Sequence, residues 1–140
     1  MSAYLDASVL LPTLIEEVGS GVVDRYLAAA AEGFVISELA AAEVASALSR
    51  LVRTGRLENQ DALARLADFD AWRAAASEDV ALQASDVRLA HIFVRRFDLI
   101  LRAPDALHAA ICRRGDYLLV TMDKRLAAAA EALGLRVQVL

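Results

Sequence analysis

The sequence predicts a mixed α/β fold, helices packed on a mostly parallel sheet, and three observations carry that prediction. Short aliphatic runs (AYL, FVI, YLLVT, RVQV) alternate with longer helical patterns. Strands separated by helices imply parallel pairing with both sheet faces covered. Apolar residues make up 58% of the chain and aromatics only 6%, the surplus being alanine, leucine and valine, which suits closely packed helices over aliphatic strands. The length of 140 residues fits one domain, residues 1–140, and no linker, repeat or low-complexity segment divides it.

In chain order, AYL is a strand ending at Asp6. SVLLPTLIEE and GVVDRYLAAAAE read as helices, the second opening after Gly19-Ser20-Gly21, and FVI is the second strand. Ser37 is placed to cap the next helix with its hydroxyl. That helix, ELAAAEVASALSRLVRTG, holds strong formers throughout and stops at Gly55. Glu38 to Arg53 would run about 24 Å. NQDALARLADFDAWRAAA is another helix, and SDVRLAHIFVRR begins a third near Ser85. Pro104, favourable just inside a helix start, opens the next. YLLVT is a strand ending at Thr121, KRLAAAAEALG a helix closed by Gly134, and RVQV the last strand.

Composition and motifs exclude several classes. No apolar run approaches the ~20 residues of a membrane span. The start MSAYLDASVLL lacks a basic region and is interrupted by Asp6, so no signal peptide is expected. Cys112 is the sole cysteine, which removes a disulfide framework and a cysteine-based zinc site. A cytoplasmic protein is expected. The glycine motifs of dinucleotide and P-loop folds are missing, and HAD-type phosphatases require an aspartate where this chain has Ser8. The net charge of −4 speaks against a non-specific nucleic-acid binder. The cations are nevertheless all arginine except Lys124. A guanidinium can donate two bonds to one phosphate, although a coding bias toward arginine explains the same composition.

Ligands of an open parallel sheet sit beyond the carboxyl ends of its strands. Asp6 follows the first predicted strand, Asp123 follows YLLVTM, and Asp105 starts a helix, so all three belong to connecting edges. Each also has a structural explanation: helix capping, or for Asp105 a favourable interaction with the helix dipole. Glu43 is harder to explain structurally. It lies two turns into its helix, beyond help from the dipole, among Ala41, Ala42, Val44 and Ala45. Those small neighbours would let other segments approach and leave a partly buried carboxylate. Several clustered carboxylates call for a counter-ion, and hard oxygen ligands select Mg²⁺ or Mn²⁺. Such an ion supplies Lewis acidity, water activation and leaving-group stabilisation to phosphoryl chemistry.

The segments YLDAS, SELAAAEVASAL, APDALHAA and LLVTMDKRL resemble the PIN-domain nucleases, most closely the VapC-type toxins of bacterial toxin–antitoxin pairs. The likeness spans essentially the full chain, and DALH followed by LxTxDxRL is its most specific part. It implies a three-layer α/β/α sandwich and metal-dependent cleavage of RNA. It also implies a homodimer and a cognate VapB-type antitoxin that blocks the site. By position, Asp6, Glu43, Asp105 and Asp123 become the acidic quartet, with Asp6 and Asp105 the most direct metal ligands. Ser8 and Thr121 match hydroxyls that touch the scissile phosphate or orient an acid.

Arg95, Arg96 and Arg102 precede the Asp105 helix, and Lys124 and Arg125 follow Asp123, so these five either hold RNA phosphates or form solvated helix faces. His108 and His91 are expected to be packing or surface residues, Trp72 a core or interface residue, and Cys112 an inert buried thiol. A PIN ribonuclease that processes RNA without an antitoxin fits the same residues. A non-enzymatic α/β module, its acids only capping helices, predicts that Glu43→Gln is nearly silent.

Overall fold

The computed structural model describes residues 1–140, and its strands form one five-stranded sheet. The strands are β1 (Ser2–Leu5), β2 (Gly33–Ser37), β3 (Ser77–Val80), β4 (Leu118–Thr121) and β5 (Val137–Val139). Their order is β3-β2-β1-β4-β5, and every pairing is parallel. The helices are α1 (Ala7–Leu10), α2 (Ser20–Ala29), α3 (Glu38–Arg53), α4 (Asn59–Ala76), α5 (Ala84–Val94), α6 (Ala103–Gly115) and α7 (Lys124–Ala132).

Alternation along the strands builds the three layers, because successive side chains point to opposite faces. Ala3 and Leu5 of β1 meet Val9, Val23, Val44 and Phe69 from α1 to α4 on one face. Tyr4, between them, meets Ile111, Cys112 and Leu126 of α6 and α7 on the other. On that second side α5 packs against α6 through Ala90, Phe93, Ala106, Ala109 and Ala110, where alanines let the two helices come close. Ser37 caps α3 by accepting the Ala40 N–H at 3.0 Å. Gly55 and Gly134 take φ of 71° and 81° just beyond helix ends, a region glycine enters without Cβ strain.

Two elements differ from the sequence reading. SVLLPTLIEE is not one helix: α1 lasts only to Leu10, and a 3₁₀ turn continues over Leu11–Thr13. Pro12 has no N–H to give, and its ring clashes with the carbonyl four residues back, so the α-helix cannot continue through it. The polar segment SEDV, given no element in the sequence reading, is the edge strand β3. Neither its polarity nor its length marks it as a strand; pairing with β2 along Phe34–Ser37 does.

From β1 the chain steps outward through β2 to β3, then crosses to the far side of β1 for β4 and β5. Connections therefore diverge between β1 and β4, and the carboxyl ends of that pair form the crevice where such sheets bind ligands.

Candidate active site

Asp6 ends β1 at this crevice, nearly sealed from solvent at 4% exposure. Its Oδ1 accepts from Ser8 Oγ at 2.6 Å and its Oδ2 from Thr121 Oγ1 at 2.6 Å. Val9 N–H adds a longer bond of 3.3 Å as Asp6 caps α1. The two hydroxyl oxygens in turn accept from backbone: Ser8 from Met122 N–H at 2.9 Å, Thr121 from Asp123 N–H at 3.0 Å. Both hydroxyl protons are thereby committed to the carboxylate, and the ends of β1 and β4 are stitched together through it. Burial pushes the Asp6 carboxyl above its ordinary range, and these two hydroxyl donors pull it back. Ser8 and Thr121 thus both donate to Asp6.

A cavity of about 300 Å³ is lined by Glu43, Asp105 and Asp123, with Arg102 and Arg125 among its other walls. Asp123 caps α7, its Oδ1 accepting from Arg125 N–H at 2.9 Å and Leu126 N–H at 3.2 Å. Asp105 occupies the first turn of α6, after Pro104. Its carboxyl is held above its ordinary range, first by burial and then by the charge of Asp123, with Glu43 contributing in the same direction. Asp105 therefore feels two carboxylates from distant parts of the chain. Glu43, on α3, keeps 34% of its side chain exposed and meets Nε2 of His108 through Oε1.

Asp6 does not line this cavity, and no three histidine, cysteine, aspartate or glutamate side chains stand close enough to share one ion. The donor set nonetheless suits Mg²⁺ or Mn²⁺. Those cations want hard oxygens, and Mg²⁺ commonly keeps several waters while one or two carboxylates hold it. Burial raises Asp105 first, and the repulsion from Asp123 and Glu43 that adds to it is what a dication would relieve.

The predicted cations divide. Arg102 and Arg125 line the cavity, whereas Arg95, Arg96 and Lys124 are exposed and do not; Arg96 pairs with Asp98 at 2.8 Å. Arg50 and Arg53, not singled out in the sequence, line an adjoining groove of about 240 Å³ with Ser46, Ala47 and Glu43. Their spacing along α3 from Glu43, at one helix face, was the available signal.

Of the residues expected to lie outside the site, three do. His91 is exposed, Cys112 is fully buried with its thiol pushed up by burial, and Trp72 packs against Phe34 at the core margin. His108 is buried, as a packing residue would be, but both ring nitrogens are engaged, one with Tyr4 and one with Glu43. It touches the cavity through Glu43 alone.

The all-parallel sheet with helices on both faces and a carboxylate-lined cavity places the chain among the α/β/α proteins with an acidic crevice. The profile of the PIN domain matches residues 3–132, and the chain belongs to that family. A comparison with curated protein sequences gives no match. Among solved structures, VapC20 of Mycobacterium tuberculosis, a sarcin–ricin loop cleaving toxin, is similar, with TM-score 0.72 and 19% identity over 91% of this chain and 94% of that one. VapBC2 of Rickettsia felis, bound to a promoter DNA fragment, gives TM-score 0.72 and 15% identity over 100% of this chain and 99% of that one. VapBC-1 of nontypeable Haemophilus influenzae gives TM-score 0.72 and 10% identity over 99% and 98%. At such identities the likeness is one of fold.

Proposed function

We propose that the chain is a divalent-metal-dependent endoribonuclease acting as the toxin of a toxin–antitoxin pair. The supporting observation is the shared cavity of Glu43, Asp105 and Asp123, drawn from α3, α6 and the end of β4. One or two of these carboxylates, with waters completing the shell, would hold Mg²⁺ or Mn²⁺, while Asp6, held by Ser8 and Thr121, ties the ends of β1 and β4 together. Bound there, the ion would polarise the scissile phosphodiester and lower the pKa of the attacking water. The chain itself supplies substrate positioning. Arg102 and Arg125 at the cavity, and Arg50 and Arg53 in the adjoining groove, present planar forks to phosphates on either side.

The partner reading has separate support. Solved relatives of this fold are complexes named VapBC, which favours a VapB-type antitoxin here. Exposed Val87, Ile92, Phe97 and Ile100 on and after α5 offer an apolar surface for a second copy. No helix is long and apolar enough to cross a membrane, and the cytoplasm is the proposed location.

The test is RNA cleavage with Mg²⁺ or Mn²⁺, with EDTA, and by Glu43→Gln. Metal-dependent cleavage, lost in EDTA and strongly impaired in a folded Glu43→Gln protein, is expected. Cleavage indifferent to EDTA, or normal in that variant, would remove the acidic centre from the mechanism and favour a module whose acids only cap helices.

A further inference from the structure

Behind Glu43 runs a buried chain of hydrogen bonds. Ser37 Oγ accepts the Ala40 N–H at 3.0 Å and stands 2.6 Å from Tyr4 Oη. Tyr4 Oη is 2.6 Å from His108 Nδ1, and His108 Nε2 meets the Glu43 carboxylate. Ser37 and Tyr4 have no exposure and His108 only 3%.

Counting protons gives the chain a direction. A carboxylate only accepts, so Nε2 carries a proton toward Glu43. If Nδ1 is the acceptor, Tyr4 donates to it, Ser37 donates to Tyr4, and the Ala40 N–H serves Ser37: every proton has a partner. If Nδ1 also carried a proton, Tyr4 would donate to Ser37. The same holds if Glu43 were protonated and the ring reversed. In both cases the Ser37 hydroxyl proton would be left without an acceptor at a fully buried site. Buried polar groups without partners are destabilising, so the first arrangement prevails. Burial also pushes the Tyr4 phenol well above its usual range, keeping its single proton available to donate.

We propose that Ser37, Tyr4 and His108 form a one-directional hydrogen-bond chain that positions Glu43 for metal binding, with His108 the positioning residue. The inference rests on the metal reading of the cavity. The chain begins at the cap of α3 and returns to Glu43 on the same helix, passing through β1 and α6. It therefore locks α3 against α6. Asp105 lies one turn before His108 on α6, so the same lock sets Glu43 relative to Asp105, two of the carboxylates in the cavity. Partners behind a metal-ligating group change metal affinity by about 10–100-fold when removed.

The experiment has two readouts on the full chain. In the metal-free protein, two-bond ¹H–¹⁵N correlation of the His108 ring is expected to show the proton on Nε2 and a bare Nδ1; a proton on Nδ1 would overturn the direction. Mn²⁺ binding, followed by calorimetry or paramagnetic resonance, is expected to weaken about tenfold in Tyr4→Phe, which keeps the ring and loses only the hydroxyl. It should weaken about 10–100-fold in His108→Leu and recover in part in His108→Gln, which restores an N–H donor. Cys112→Ala, a cavity at another buried α6 position, is expected to melt earlier and bind Mn²⁺ normally. Unchanged Mn²⁺ affinity in Tyr4→Phe and His108→Leu, or a loss no larger than in Cys112→Ala, would reduce the chain to packing. Failure of the metal reading looks different: wild type itself would bind no Mn²⁺, removing this role from His108 even with the proton on Nε2.

Discussion

At Asp105, burial and the charges of Asp123 and Glu43 hold the carboxyl above its ordinary value of 3.8. A group whose pKa rises on folding stabilises the fold most when protonated, and that contribution is lost as pH climbs through the raised value. The metal-free protein should therefore lose melting temperature as pH rises from about 4 toward neutrality, and buried Asp6 acts in the same direction. Asp105→Asn removes the Asp105 share. Its melting temperature in EDTA at pH 7 is expected to exceed that of wild type and to vary less with pH. Mn²⁺ should reverse the order, raising wild type by mass action and the variant little. Equal Mn²⁺ stabilisation of both would take Asp105 out of the ligand set. Glu43 was legible as an acid with no helix-terminal reason to exist. His108 was not, because its partners are Tyr4, 104 positions away, and Glu43, 65 away.

At the scale of elements, the α5–α6 pair has a clasp that periodicity does not disclose. Arg114 Nε donates to Asp86 Oδ1 at 2.7 Å and its Nη2 to Oδ2 at 2.9 Å, with a further bond to the Ala81 carbonyl. Asp86 is 1% exposed, so Arg114→Ala leaves a buried carboxylate without its cation. The expected loss is about 3 kcal/mol, read as a lower urea midpoint. Arg96→Ala, removing one partner of the exposed Arg96–Asp98 pair, should leave the urea midpoint nearly unchanged. The same scale explains what was and was not readable. α3 and α4 have the spans foreseen because long runs of good helix formers decide locally. β3 was missed because SEDV becomes a strand only through a neighbour.

For the molecule as a whole, a net charge of −4 coexists with arginines gathered beside an acidic cavity. On the proposed ribonuclease reading, global charge opposes RNA and local charge attracts it. Affinity for single-stranded RNA should fall with salt at a log–log slope of about −0.7 per phosphate neutralised. The Arg102→Ala/Arg125→Ala double variant is expected to flatten that slope by roughly 1.4, about 0.7 for each lost contact. Arg95→Ala/Arg96→Ala, outside the cavity lining, should leave it nearly unchanged. Equal slopes for wild type and both doubles would mean that phosphates bind elsewhere.

The sequence by itself determined the alternation of strands and helices, the aliphatic interior and the chain positions of the acids, since these depend on local propensity, period and composition. Tertiary structure alone decided that polar SEDV becomes an edge strand and that Glu43, Asp105 and Asp123, without Asp6, share a cavity. It also decided that Arg102 and Arg125 line that cavity and that His108 holds Glu43. Those are facts of pairing between residues far apart in the chain, where strand order and helix docking, not the neighbours in sequence, set which atoms meet.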